Sequence, residues 1–208
     1  MGKYTVLLIL IALMFNYFGC NSEEIVTTSN KIQVVGSGPV DSMTVSLPTF
    51  HSITNIATFD INVTKGSPQR VVLRAQQNIL NVMTYTVVNG ELILGFQDNV
   101  NVTTSEEVSA DITVAEINNA TIVGAGNYTL NGAQQNRLGF YITGVGNVES
   151  YNLAVDTCNI VITGVGNCRV RVNSLLNVTI TGVGNVYYKG NPTIISTITG
   201  TGSIINDN

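Results

Sequence analysis

The chain of 208 residues is poor in charge, proline and histidine, and it has no tryptophan. Charged residues make up 11% and hydrophobic residues 44%, a balance that excludes disorder caused by excess charge. After residue 24 no segment has the period of a long amphipathic helix, which predicts an all-β fold. The formal charge is −4, and no basic patch exists beyond Arg169 and Arg171, so nucleic acid is not an expected partner.

Residues that carry catalysis or hold cofactors are also scarce. His51 is the single histidine, and no Ser/His/Asp or Cys/His set forms around it. The glycine turns lack the lysine and the following helix of a phosphate loop. They also offer neutral Asn amides where calcium-binding repeats carry Asp. The sequence therefore predicts no catalytic residue, no metal site and no cofactor.

The second half of the chain repeats one phrase, an apolar strand that ends in Ile and is followed by a turn of small residues. The first glycines of successive copies are 20, 20, 18 and 18 residues apart. A fixed period of this size is typical of solenoids and other repeat arrays. The turns, called here the glycine corners, are Gly124-Ala125-Gly126-Asn127, Gly144-Val145-Gly146-Asn147, Gly164-Val165-Gly166-Asn167, Gly182-Val183-Gly184-Asn185 and Gly200-Thr201-Gly202-Ser203.

Alternate residues before each corner are apolar, which is typical of a strand with one buried face. One repeat cannot bury such a row alone, so coils of 18–20 residues are expected to stack into a continuous core. This predicts a parallel β-solenoid, or β-helix, of right-handed sense, because parallel crossovers almost always have that sense. A row of antiparallel hairpins with the corners as loops is the alternative. The buried rows are predicted as Leu138, Phe140 and Ile142; Cys158, Ile160 and Ile162; Leu176, Val178 and Ile180; and Ile194, Ser196 and Ile198.

The corners and the cysteines have predicted structural roles. The paired glycines are expected to make tight corners because glycine reaches positive φ without steric cost. The Asn that ends most corners is expected to form a ladder of amide hydrogen bonds along the stack. Cys158 and Cys168 fall on inward positions of one coil, either as free thiols or as a disulfide that an oxidising envelope would permit.

Residues 31–116 show short strands without a repeat period. The strongest signal is Asn89-Gly90 between two apolar segments, because Asn-Gly supplies the two positive φ values of a type I′ hairpin. We expect an antiparallel β-rich region that covers the open edge of the first coil, since an exposed edge invites aggregation. The predicted organisation is a signal peptide over 1–19, a lipid-anchored linker over 20–30, this capping region over 31–116 and solenoid repeats over 117–208.

The N-terminus has the pattern of a secretory leader, in which Lys3 is followed by an apolar run from Tyr4 to Phe18. The run is short for a membrane span but suits a signal peptide. Gly19-Cys20 resembles the lipobox of bacterial lipoproteins, in which the cysteine carries acyl chains, so Cys20 is the predicted lipidation site. The acidic residues that follow resemble the export signal of Bacteroidetes-type lipoproteins. These features predict a protein anchored by lipid in the outer membrane and exposed at the cell surface.

From about Ile32 to the C-terminus, the sequence resembles the auto-transporter adhesin, head-GIN domain family of bacterial envelope proteins. The likeness rests on Gly36-Ser37-Gly38, Arg70-Val71-Val72-Leu73, Asn89-Gly90-Glu91-Leu92-Ile93 and the serial Gly-x-Gly-Asn turns. It implies an all-β, solenoid-like secreted domain that is often lipid-anchored, and the family name implies adhesion. It supplies no catalytic residues.

Tyr141 and Tyr187 are predicted to face outward and to form a candidate binding face for sugar rings or a protein. The predicted function is a non-enzymatic, surface-anchored adhesin-like module or envelope scaffold, whose partners are the membrane and a glycan or protein on a cell surface. The alternative is a polysaccharide-active enzyme, because parallel β-helices host lyases and hydrolases. For such a site the repeats offer only a few ionisable residues, namely Glu149, Asp156, Arg169, Arg171 and Lys189. Self-assembly into filaments is a third option.

Overall fold

Short β-strands make up most of the structure, a computed structural model that describes residues 31–208. The predicted leader, linker and lipidation site at Cys20 lie outside the described residues. As predicted, the described chain is all-β, with a single helical turn, α1 (Gln77–Leu80). Among residues 31–208 no helix has the length and hydropathy needed to cross a membrane.

In chain order the strands are β1 (Ile32–Val35), β2 (Val40–Val45), β3 (Ser52–Asn55), β4 (Asp60–Lys65), β5 (Arg70–Gln76), β6 (Met83–Val88), β7 (Glu91–Phe96), β8 (Val100–Thr103), β9 (Ser109–Val114), β10 (Asn119–Ile122), β11 (Tyr128–Asn131), β12 (Gln135–Ile142), β13 (Val148–Ile162), β14 (Cys168–Ile180), β15 (Val186–Lys189), β16 (Thr193–Ile198) and β17 (Ile204–Asn206). Strands β1 and β8 form a small parallel sheet, and the others belong to one larger sheet.

Strands of successive repeats pair in parallel, and they form two ladders on either side of the corners. The first ladder, before the corners, runs through β7, β3, β10, β12, the C-terminal parts of β13 and β14, and β16. The second ladder, after the corners, runs through β9, β4, β11, the N-terminal parts of β13 and β14, β15 and β17.

The register follows the repeat period. Ile122, Ile142, Ile162, Ile180 and Ile198 are successive partners in the first ladder. Single bridges between the middle residues of adjacent corners, such as Val145 with Val165, connect the coils between the two ladders. The alternative of antiparallel hairpins is therefore wrong for the repeats.

The alternating apolar residues form the core, as predicted for the interior coils. Phe140, Ile160 and Ile180 are fully buried, and each buried side chain of this size stabilises the fold by roughly 1.5–3 kcal/mol. Cys158 and Cys168 are buried free thiols, on inward positions as predicted. Burial raises the pKa of both thiols.

The region before the repeats, predicted as an antiparallel β-rich capping region, contains both antiparallel and parallel strand pairs. It does contain the Asn89-Gly90 hairpin, with φ of 51° and 76° at these two residues. Strands β3 and β4, however, are parallel members of the two ladders, and Thr58 bridges to Ala125 as one corner bridges to the next. The sheet is therefore mixed, and its ladders cross the predicted boundary at residue 116.

The two ends of the ladders differ. At one end the antiparallel strand β6 covers β7, and the antiparallel strand β5 covers β9. At the other end β16 and β17 pair on one side only within the described chain. All six residues of β16 are exposed, including the predicted core positions Ile194, Ser196 and Ile198. Within the described residues no further coil lies over these three side chains, whereas a next coil buries their counterparts in the interior of the stack.

Candidate functional site on the outer face of the first ladder

The corner glycines are required by close approach between coils. A Cβ atom on Gly146 would lie 1.8 Å from the carbonyl oxygen of Gly126, and one on Gly166 would lie 1.7 Å from that of Gly146. Of the corner glycines, only Gly126 and Gly184 have φ on the positive side, at 119° and 158°. The expectation that positive φ explains these glycines is therefore wrong for most of them, and the corners serve the stacking of the coils.

The Asn ladder predicted along the corners is present. The backbone N–H and Nδ2 of Asn147 donate to Oδ1 of Asn127 at 3.1 and 3.2 Å. Asn167 donates in the same way to Asn147, at 3.0 and 3.1 Å. The ladder begins at Asp60, whose carboxylate accepts both donors of Asn127. The role of Asp60 was missed because its coil lacks the glycine phrase.

The coil formed by residues 52–65 makes its corner with Asn55 instead of glycine. The buried Asn55 side chain donates to the carbonyl oxygens of Phe59 and Ala125 at 3.1 and 2.8 Å, and its Oδ1 accepts the backbone N–H of Ala57 at 3.1 Å. One side chain thus satisfies the backbone groups of this corner. No glycine period marks the coil, which is why the sequence pattern did not reveal it.

The two tyrosines predicted to share a binding face lie on different ladders. Tyr141 lies on β12 in the first ladder, beside Val161. Tyr187 lies on β15 in the second ladder, where the guanidinium carbon of Arg169 is 4.9 Å from the centre of its ring. Each tyrosine therefore has to be considered with its own neighbours.

Tyr141 lines a cleft on the outer face of the first ladder, called here the Tyr141 cleft. It has a volume of about 420 Å³ and is lined by Asn118, Asn119, Arg137, Leu138, Gly139, Tyr141, Thr157 and Asn159. Volumes of this size are typical of small-ligand sites. Of these residues, the sequence analysis proposed only Tyr141 as a binding residue.

The register of the ladder creates the cleft. Gly139 is paired with Asn119 on one side and with Asn159 on the other. A Cβ on Gly139 would lie 2.5 Å from Oδ1 of Asn119 and 2.9 Å from ring atom Cε2 of Tyr141. The absence of a side chain at Gly139 therefore lets the Tyr141 ring and the Asn119 amide lie close to the sheet. Counting 20 residues back and forward from Gly139 would have found both asparagines.

The cleft offers hydrogen-bonding groups beside an aromatic ring. Nδ2 of Asn159 donates to the hydroxyl oxygen of Tyr141 at 3.3 Å, which holds the phenol in place. Side-chain amides supply both donors and acceptors, and the exposed Arg137 supplies a cation. The residues that line the cleft include no carboxylate. This arrangement is suited to stacking and hydrogen bonding with a hydroxyl-rich ligand.

On the second ladder, ionisable residues that are widely spaced in the sequence lie close together. Nε of Arg169 lies 4.0 Å from a carboxylate oxygen of Glu149, and Nζ of Lys189 lies 4.7 Å from the ring centre of Tyr151. The Tyr151 hydroxyl donates to Asp207 at 2.6 Å. Partial burial and the Asp207 carboxylate raise the pKa of Tyr151, so its phenol stays protonated at neutral pH and is unsuited to act as a base.

A larger cavity of about 530 Å³ lies where the row of corners begins. Phe59 and Phe96 form part of its wall, with ring centres 5.1 Å apart. Asp60, Glu106 and Glu107 also line it, and Asp60 is engaged by the Asn ladder. No cation among its lining residues balances these acids, so this cavity suits an acidic sugar less well than the Tyr141 cleft does.

The structure thus defines an all-β protein in which sequence repeats stack in parallel ladders and present a polar cleft on an outer face. The sequence model of the family described as putative auto-transporter adhesin, head GIN domain, matches residues 49–139 and again residues 99–192. These matches cover more than half of the chain, and the chain belongs to this family. The resemblance drawn from the glycine corners and the Asn-Gly hairpin is therefore confirmed.

Several solved structures resemble the chain at low sequence identity. A crystal structure of a putative adhesin from Bacteroides fragilis matches with 20% identity and a TM-score of 0.52, over 83% of this chain and 99% of that chain. A putative adhesin from Parabacteroides merdae matches with 15% identity and a TM-score of 0.46, over 84% and 99%. A putative lipid binding protein from Parabacteroides distasonis matches with 14% identity and a TM-score of 0.41, over 85% and 100%. A sequence comparison with curated proteins gives no match.

Proposed function

We propose that this protein is a non-enzymatic, adhesin-like binding module that holds a saccharide in the Tyr141 cleft. The observation that carries the proposal is the placement of one aromatic ring, three amide side chains and one guanidinium around Gly139. The ring face of Tyr141 matches the apolar face of a sugar, and the amides match its hydroxyl groups. Arg137 suits a sugar that also carries a carboxylate.

The proposal extends to the architecture and the location of the chain. We infer that the parallel ladders constitute a right-handed β-solenoid, supported by registers of 20 and 18 residues between identical corner positions and by the usual sense of parallel crossovers. We further infer that acyl chains at Cys20 anchor the protein at the outer face of the outer membrane. Family membership supports a surface location because the family is described as adhesin-like.

A glycan array probed with the purified full chain tests the binding function. Retention of a saccharide is expected, and Tyr141→Ala is expected to weaken it about tenfold or more, a change of about 1.4 kcal/mol. Tyr187→Ala is the matched control, because it removes an equal ring from the other ladder and should leave retention unchanged. Equal affinity of Tyr141→Ala and the wild type would contradict the assignment of the cleft.

The retained saccharides are then incubated with the protein and analysed for shortened products. Turnover would favour a polysaccharide-active enzyme, which normally needs a pair of carboxyl groups flanking the scissile bond. Surface anchoring is tested separately by adding protease to intact cells, where the wild-type chain should be cleaved and Cys20→Ser should leave the membrane fraction. Full protection of the wild type would contradict surface display.

A further inference from the structure

The last coil leaves a β-edge uncovered. Within the described chain, β16 pairs only with β14, and β17 pairs only with β15. Ile195 keeps 60% of its surface exposed, and Ile194 and Ile198 keep 38% and 40%. Native proteins usually protect such an edge with charged side chains, a proline or a bulge. None of these devices interrupts Thr193–Ile198.

The opposite end of the ladders is covered. Strand β6 lies antiparallel on β7, and β5 lies antiparallel on β9. The covering strands end in edges of their own, because within the described chain β6 pairs only with β7 and the outermost strand β2 pairs only with β5. The β2 edge carries the charged Asp41, a feature that protects an edge, whereas β16 and β17 carry no charge. The edge formed by β16 and β17 is complementary to the same edge of another molecule related by a two-fold axis.

We propose that β16 and β17 pair with the same strands of a second copy of this chain to form a closed, two-fold-symmetric dimer. Backbone chemistry favours a strand as the occupant. The N–H of Thr199 donates to the carbonyl oxygen of Ile180, so the alternation of a strand points the N–H groups of Ile194, Ser196 and Ile198 away from β14. Carbonyl groups of an added strand satisfy these donors.

Side-chain chemistry favours an identical copy. Strands β16 and β17 contain no charged residue, so two copies meet without repulsion along the strands. The nearest charges, Lys189 and Asp207, are of opposite sign and leave the flank balanced. Ile194 and Ile198 continue the core rows of Leu176 and Ile180, and a second copy would cover them with the same apolar residues. A closed dimer replaces the filament expected as one option from the sequence.

Pairing at this edge has a consequence for adhesion. A dimer carries two Tyr141 clefts, so binding of the first saccharide makes the second binding event intramolecular and raises the avidity for a surface that displays many copies. This consequence rests on the proposed saccharide function. The dimer itself does not, because the edge residues are separate from the residues that line the cleft.

Native mass spectrometry of the detergent-solubilised full chain tests the proposal. The wild type is expected to be a dimer, and Ser196→Pro is expected to be a monomer because it removes an outward N–H while sparing those that bond to β14. Ser196→Ala is the matched control, which keeps the amide and should remain dimeric. Ile195→Lys keeps every amide and is expected to weaken the dimer at least tenfold through like charges across the axis.

The measurement is repeated at several protein concentrations. A wild type that is monomeric at every concentration, or that forms assemblies larger than a dimer, would overturn the proposal. A Ser196→Pro variant that is folded and still dimeric would overturn it as well. Circular dichroism establishes whether each variant is folded. If Ser196→Pro does not fold, Ile195→Lys decides, because it leaves the backbone unchanged. Loss of dimer with retained saccharide binding would separate this inference from the function of the cleft.

Discussion

The substitution Gly166→Ala tests whether close packing of the corners holds the coils together. The new Cβ would lie 1.7 Å from the carbonyl oxygen of Gly146, whereas real Cβ atoms essentially never come closer than 3.0 Å to such an atom. The coils must therefore separate locally by about 1.3 Å, the difference between these distances. The obstacle is backbone, so no side-chain rotation relieves it.

The cost follows from the hydrogen bonds that cross this gap. Val165 N–H donates to Gly144 at 2.9 Å, and Gly146 N–H donates to Val165 at 3.0 Å. Opening by about 1.3 Å takes both of these bonds, and the bond from the Asn167 backbone N–H to Asn147 Oδ1, beyond hydrogen-bonding distance. At about 1 kcal/mol for each of three lost contacts, the free energy of unfolding falls by about 3 kcal/mol. For a chain of this size, the Tm should fall by about 6–12 °C.

Thermal unfolding followed by circular dichroism measures this effect. Val165→Ala is the control, because the neighbouring valine is 48% exposed and its truncation should change the Tm by less than about 2 °C. Gly202→Ala meets a carbonyl at a similar 1.8 Å, but its coil is the last one described and can move outward, so a smaller loss is expected. A Tm for Gly166→Ala equal to that of Val165→Ala would refute the reasoning.

Three further predictions concern single side chains. Asn147→Ala removes the acceptor of both Asn167 donors and should lower the free energy of unfolding by about 1–2 kcal/mol, whereas Asn147→Asp keeps an acceptor and should cost less; equal losses in urea unfolding would argue against the ladder. The hydrogen bond from Arg74 lowers the pKa of Asp111, so this pair stabilises the fold above the unfolded pKa of about 3.9, and the stabilisation is lost as pH falls through the lower folded value. Because both side chains are substantially exposed, Arg74→Ala should cost less than about 1 kcal/mol at pH 7 and progressively less as pH falls below about 3.9, and a loss that does not change with pH would contradict this origin. The buried thiols Cys158 and Cys168 should react with iodoacetamide at pH 8 only after addition of urea, and rapid modification of either of these two residues in the folded chain, located by peptide mass spectrometry, would disprove their burial.

Much of the architecture could be predicted because the spacing of the glycine corners gives the register between the strands of successive coils. Identical residues at a fixed spacing imply that each row stacks on its own copy, so the parallel pairing and the inward cysteines followed from alignment of the repeats alone. The coil formed by residues 52–65 could not be found in this way. Its corner is built by the Asn55 side chain, and a single polar residue produces no period in the sequence.

The expectation that the corner glycines are needed for positive φ was wrong for a related reason. A sequence shows that a position tolerates only small residues, but it does not distinguish positive φ from contact with a neighbouring backbone. At Gly146 and Gly166 the contact comes from the coil before, about 20 residues away in the chain. Only coordinates reveal contacts of this kind, because they depend on how closely successive coils approach each other.

The Tyr141 cleft arises where the repeats depart from their own pattern. In the row that contains Gly139, the neighbouring positions are Asn119, Asn159 and Asn177, and Gly139 alone lacks a side chain. In the adjacent row, Tyr141 replaces the β-branched residues found at the same position in other coils. The regular corners hold the coils in place, so the outer face can vary without loss of the core. A binding site in a repeat protein is therefore to be sought at the positions that break the repeat, and Gly139→Asn, which restores the pattern, should abolish retention of the saccharide while leaving the ladders intact.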